Sequence, residues 1–177
     1  LLVLKNQSEM RVLEGATLPE GPRESLAWQA PINRSGGRLW SCNLAVEANF
    51  WETLQGFDTD YPFALEDLDF KTRVLKSDVE WTFVEDAAVI HPWREGTARE
   101  LFRRQMRELK GWRVYAYKHP DAIRKFSIGY LLSGFYQAAN DIKKGAHAGR
   151  GWKAYSAFLL GRMIKTIFIV WMSYSTK

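Results

Sequence analysis

From Glu66 onward apolar and small residues fall at helical spacing, with Leu65, Leu68, Thr72 and Leu75 on one side, while Pro62 upstream discourages helix. This pattern predicts a helix from Glu66 to about Lys76, with two adjacent carboxylates, Glu66 and Asp67, in its first turn. Next, Val79, Trp81 and Phe83 alternate with Glu80 and Thr82, which predicts a half-buried strand. Ala87 to Ile90 predicts a shorter apolar strand, with Glu85 and Asp86 as the turn between the two. Thr97-Ala98-Arg99-Glu100 reads as a capping box, and Leu101, Met106, Leu109 and Trp112 form the apolar face of a helix ending before Pro120. The other face carries Arg99, Arg103, Arg104, Arg107 and Lys110.

Upstream of the acid pair, Asn43 to Val46 is a short apolar run, Phe50-Trp51-Glu52 has helical character, and Gly56-Phe57-Asp58 marks a turn. Residues 1 to 38 hold an expected opening strand at Leu1 to Leu4. Gly15, Pro19, Gly21, Pro22, Pro31 and the Gly36-Gly37 pair then predict mostly loop. Beyond Pro120 the composition changes. Phe126 to Ala139 is apolar nearly all round, KKGAHAGRG reads as a linker, and Trp152 to Tyr174 predicts a long hydrophobic helix. That helix is long enough to span a bilayer. Arg162 and Lys165 interrupt its middle, and with Thr166 and Ser173 they share an arc of about 100° on a helical wheel. Central charges make insertion costly, which favours an amphipathic helix lying at a membrane surface, with Lys143, Lys144, Arg150 and Lys153 toward anionic headgroups. A helix hairpin packed on its own domain or on a partner subunit is the competing reading.

A chain of 177 residues with 46% hydrophobic and 14% aromatic content can build a core, which excludes a disordered chain. Trp40, Trp81 and Trp112 are expected inside. The single Cys42 excludes an internal disulfide and fits a reducing compartment. The net charge of +5 comes from basic residues scattered over amphipathic helices without a recognition motif, so no nucleic-acid partner is expected. Zinc spacing, a phosphate-binding glycine loop and a nucleophile elbow are all missing from the sequence, which removes zinc-finger, P-loop and serine-hydrolase readings.

Candidate chemistry therefore concentrates on Glu66 and Asp67. Unpaired backbone N–H groups and the positive end of the helix dipole favour ionised carboxylates there, and an ionised carboxylate at a cleft rim can take a proton from a hydroxyl. Acids in a first turn serve equally as dipole-compensating caps.

The ordered set CNLAV, QGFD and EDLDFKTR, followed by VEWTFVEDAAVIHPWR, resembles the second half of the catalytic domain of inverting GT-A-fold glycosyltransferases, both family 2 and the galactosyltransferase C-terminal domain. The set covers roughly residues 38 to 112. The resemblance implies an α/β fold: the C-terminal half of a GT-A-like mixed sheet with flanking helices over residues 1 to 118, then a helical, apolar and basic tail over 119 to 177. It implies transfer of a sugar from a nucleotide-sugar donor to a glycan or lipid-linked acceptor, with inversion, at the cytoplasmic face of a membrane. Asp67 matches the general base. Glu66 matches the acid that holds acceptor hydroxyls, with Trp40, Asn43 and Asp58 as further acceptor-binding candidates. His91 stands where many members supply a late ligand to a divalent metal, Mn or Mg; Arg94 and Trp93 are candidates for the donor phosphate and for stacking.

The family also needs an N-terminal nucleotide-binding half ending in an Asp-x-Asp metal motif on an apolar strand, and none precedes Leu1. Asp58-Thr59-Asp60 follows a turn and Asp67-Leu68-Asp69 lies within the predicted helix, so neither has that setting. The expectation is the C-terminal part of a longer enzyme, inactive alone. The alternatives are a non-catalytic sugar- or membrane-binding remnant and a two-carboxylate glycoside hydrolase. The hydrolase needs its acids about 5–9.5 Å apart across the scissile bond, and would have to recruit Asp58 or Glu85.

Overall fold

In the computed structural model the described residues are 11–123 and 150–175, with 129, 132, 135, 136, 139, 140, 142 and 143 between them. They form two compact units. The first takes the described part of Leu1–Glu20 with Pro31–Thr59 and Glu66–Pro92; the second takes Gly21–Ala30, Asp60–Leu65 and the described part of Trp93–Lys177. The fold is mixed α/β, as the sequence pattern predicts.

The first unit is built on a three-stranded mixed sheet. Its central strand is β1 (Val12–Pro19), antiparallel to β3 (Leu44–Val46) and parallel to β4 (Trp81–His91). A strand flanked on both edges is buried on both faces, and Val12 through Thr17 are all buried. This overturns the expected loop: the segment read from Gly15 and Pro19 as irregular is the middle of the sheet. The other expected strand of that region, Leu1 to Leu4, lies outside the described residues. Helices α1 (Ala48–Thr53) and α2 (Glu66–Lys76) supply Phe50, Phe70 and Val74 to the core. There they meet Val12 and Leu39, with Trp51, Phe57 and Trp81 packed around them.

The two strands expected at 79–83 and 87–90 are one strand with a bulge. Gly15 pairs with Val84 and Thr17 with Val89, so two steps on β1 face five on β4. Exposed Glu85 and Asp86 lie within the extra length. Asn43, from a short 3₁₀ turn (Ser41–Asn43), holds the bulge: its Nδ2 donates to the carbonyls of Ala16 and Ala87, each at 2.7 Å. Only glycine fits opposite this bridge. A Cβ on Gly15 would stand 2.1 Å from the Ala87 carbonyl oxygen and 2.3 Å from Asn43 Nδ2. Gly15→Ala is accordingly expected to lower stability by about 1–3 kcal/mol in urea titration; an unchanged midpoint would show that the bridge is dispensable.

In the second unit β2 (Trp28–Gln29) pairs with β5 (Arg94–Glu95), and α3 (Ala98–Lys118) carries the expected capping box in both directions between Thr97 and Glu100. A short helix α4 (Pro120–Ile123) follows, and α5 (Trp152–Ser175) packs along α3. The core contains Leu26, Leu101, Trp112, Tyr115, Ile123, Tyr155 and Ile169. Helix α3 thus belongs with α5, whereas the resemblance implied a boundary at 118. With 24 residues, α5 is long and apolar enough to cross a membrane by length and composition. Of the expected interior tryptophans Trp112 is buried, and Trp40 and Trp81 are half-buried. The apolar stretch Phe126 to Ala139 and most of the linker lie outside the described residues.

Candidate functional site around Asp67

Helix α2 begins at Glu66, as its apolar spacing predicts. Three acids stand in its first turn, Glu66, Asp67 and Asp69, and Arg73 and Lys76 in its last, both in the sense the helix dipole favours. The acids divide by role. Asp69 is 1% exposed and bonded to Arg73 Nε and Nη2 through Oδ2 at 2.8 and 2.6 Å. The same guanidinium donates to the Leu54 carbonyl and, at 2.7 Å, to the Gly56 carbonyl. Arg73 therefore ties the helix to the Gly56-Phe57 turn that carries Asp58. Glu66 and Asp67 are half-buried and contribute to no such clamp.

Burial, followed by the neighbouring Glu66 charge, raises the Asp67 carboxyl above its usual range, and hydrogen bonds from the backbone N–H groups of Leu68 (2.8 Å) and of Asp67 itself oppose this only in part. A raised carboxylate is a stronger base. It also costs stability once ionised: relative to an uncharged isostere, the folded state gains below 3.8 and loses as pH rises through the elevated value. Asp67→Asn should melt with or above the native protein at neutral pH, with the difference developing between pH 3.8 and the raised pKa. Melting curves across that range test this, and a variant that is less stable at neutral pH would make Asp67 a cap rather than a strained acid.

The residue before the pair adds to this. Leu65 has φ of +84°, a left-handed conformation that a bulky side chain adopts at a cost of about 1–3 kcal/mol. Such strain persists where surroundings impose it, and here it falls on the residue that precedes α2 in the chain.

A second anchor lies under the neighbouring loop. Glu14, 1% exposed in the middle of β1, accepts from Asn33 Nδ2 (2.7 Å) and from the backbone N–H groups of Gly37 (2.5 Å), Arg38 (2.8 Å) and Leu39 (2.6 Å). Leu39 is itself held at φ +51°. The Gly37 carbonyl accepts from Lys71 Nζ of α2 at 2.6 Å, so Glu14, the 33–39 loop and the acid-bearing helix form one connected frame. Sequence reasoning did not single out Glu14, Arg73 or Lys71; the i,i+4 spacing of Asp69 and Arg73 was the one available signal.

The other expected site residues are distributed as follows. Trp40 is half-buried with the Arg38 guanidinium 5.6 Å from its ring centroid. Asn43 Nδ2 is taken up by the bulge, and Asp58 is half-buried in the turn that Arg73 holds. His91 ends β4 beside Pro19, with Nδ1 3.0 Å from the Pro92 carbonyl oxygen. It leaves one nitrogen, Nε2, for a metal. Among the described residues no three His, Cys, Asp or Glu side chains are grouped to hold a cation, so these residues do not by themselves make a metal centre. Trp93 and Arg94 belong to the second unit: Trp93 donates to the Gly21 carbonyl at 3.2 Å and lies 6.3 Å from Trp28, and Arg94 is exposed on β5. Asp60, half of the other Asp-x-Asp lookalike, pairs with Lys118 at 2.6 Å.

No family model matches the chain, and neither a curated protein nor a solved structure is similar to it.

Proposed function

We propose that Asp67 is the general base of an inverting glycosyl transfer, with a nucleotide sugar as donor and a glycan or lipid-linked hydroxyl as acceptor, at the cytoplasmic face of a membrane. The observation that carries this reading is the Asp67 carboxyl, raised by burial and by Glu66, at the start of a helix that Lys71 and Arg73 tie to the Gly37 and Gly56 loops. In the reaction the acceptor oxygen bonds to the anomeric carbon while its proton passes to Asp67. The bond to the nucleotide diphosphate breaks and its electron pair leaves with the phosphate. Glu66 would accept hydrogen bonds from acceptor hydroxyls, with Trp40 offering a stacking face to a sugar ring. A divalent ion at His91 would need ligands beyond those grouped among the described residues.

Two features favour a base over a cap. A cap lowers its own pKa by accepting from the helix N-terminus, whereas Asp67 is displaced upward. Backbone strain at Leu65 adds nothing to a cap but is expected where a side chain must be aimed. The test is nucleotide release and acceptor glycosylation by the complete open reading frame, with and without Asp67→Asn. A sugar-binding remnant would retain glycan affinity in both proteins and release no nucleotide in either.

A further inference from the structure

We infer that the face of the second unit formed by α3 and α5 docks flat on an anionic lipid bilayer. Helix α5 is apolar on its exposed side as well as on its buried side. The polar residues in its middle do not face water: Thr166 and Ser173 are buried beside Ile169 and Met172, and Lys165 pairs with Glu108 of α3 at 2.5 Å. The arc of Arg162, Lys165, Thr166 and Ser173 expected to meet water is thus the arc at or near the packed side. The outward side carries Leu160, Met163, Ile164, Ile167, Trp171 and Tyr174, each 39–60% exposed. These recur at three- and four-residue steps and make a stripe along about 20 Å of helix. Solitary exposed apolar residues are ordinary, but a continuous stripe marks a surface that meets something apolar.

Charge identifies the occupant. On α3 the exposed Arg99, Arg103, Lys110 and Arg113 fall within about 80° of one another on a helical wheel. None has an acidic partner among the described residues. Arg113 sits beside the apolar stripe, its guanidinium 5.4 Å from the Phe168 ring centroid, and Phe168 in turn lies 5.7 Å from Trp171. A basic row alongside an apolar stripe matches the boundary between phosphate headgroups and acyl chains. Neither a neutral bilayer nor an apolar protein groove calls for the basic row.

The same packing excludes a spanning mode. Gln105 meets Gly161, Glu108 meets Lys165 and Arg113 meets Phe168, so the contacts advance together and the two helices run side by side in one direction. Carrying α5 across a membrane would carry the cations of α3 with it. The surface stands on this geometry alone and is independent of the role of Asp67.

Flotation of the full chain with vesicles tests it. Binding is expected to vesicles containing one-third phosphatidylglycerol and not to pure phosphatidylcholine, to weaken as salt is raised, and to be released by alkaline carbonate. Ile167→Ser with Trp171→Ser should reduce the partition coefficient at least about tenfold, since both side chains are exposed and would otherwise enter the acyl boundary. Arg103→Ala with Lys110→Ala should reduce it about 30-fold at low salt, at roughly fivefold per cation. Unchanged circular dichroism and melting in all variants separates lost docking from lost folding. Equal binding by the variants, equal binding to neutral vesicles, or retention through carbonate would overturn the inference. So would a solution dimer that the two α5 substitutions dissociate, because the stripe would then be covered by a second copy.

Discussion

Asp67→Asn is expected to cut the proposed glycosyl transfer by roughly 10²–10⁴-fold, the usual contribution of a positioned general base. The substitution keeps the shape of the side chain and an oxygen that can accept from the Leu68 N–H, so folding should survive. The loss should fall on kcat more than on KM, because the proton moves only in the transition state. In the native protein kcat should rise with pH through a value above that of an ordinary aspartate, since burial and Glu66 both raise it, and this limb should vanish in the variant. Glu66→Gln should differ in kind, weakening acceptor binding while leaving the ascending limb in place. Transfer by Asp67→Asn within a few fold of native would remove Asp67 from the chemistry.

The largest expected loss of stability comes from Glu14→Ala. Truncation withdraws one carboxylate from four donors, three of them backbone N–H groups in a loop that contains Leu39 at positive φ. Hydrogen bonds to a charged group contribute about 1.5–3 kcal/mol each, and some of the freed N–H groups will find water, so a net cost of about 3–4 kcal/mol is reasonable. The urea midpoint should fall with the slope unchanged, as for a loss of stability without a change in the folded surface. Transfer should fall as well, because the loop that Glu14 organises is the one that Lys71 of α2 grips. Glu14→Gln should lie between the two proteins, since an amide retains one acceptor oxygen and turns the other towards donors. A midpoint within error of native in the alanine variant would mean that water replaces the carboxylate and that the frame is not built on it.

These two anchors show where the division between local and tertiary information lies. The span of α2 was legible from its spacing and from Pro62, because a helix with one apolar stripe announces its period and its start. The capping box of α3 and the extent of α5 were legible for the same local reason. So was the placing of Glu66 and Asp67 in a first helical turn.

Strand β1 was not legible. A central strand shows no alternation, and this one contains Glu14 and Gly15, two residues that suggest loop when read alone. Each is explained only by distant partners: Glu14 by Asn33 and the 37–39 backbone, Gly15 by Asn43 and Ala87. The continuity of β4 across Glu85 and Asp86 likewise depends on the bulge that Asn43 bridges. The sense of α5 is the clearest case. Its wheel has a polar arc and an apolar arc, and by itself it places the polar arc in water; the pairing of Lys165 with Glu108 turns it the other way. The sequence by itself determined the extents of α2, α3 and α5 and the acid-bearing first turn of α2, because capping and periodicity act over a few residues. Tertiary structure alone decided which strand is central, that Glu14 is structural and which face of α5 is exposed, because each is settled by groups tens of residues apart that meet only when the chain is folded.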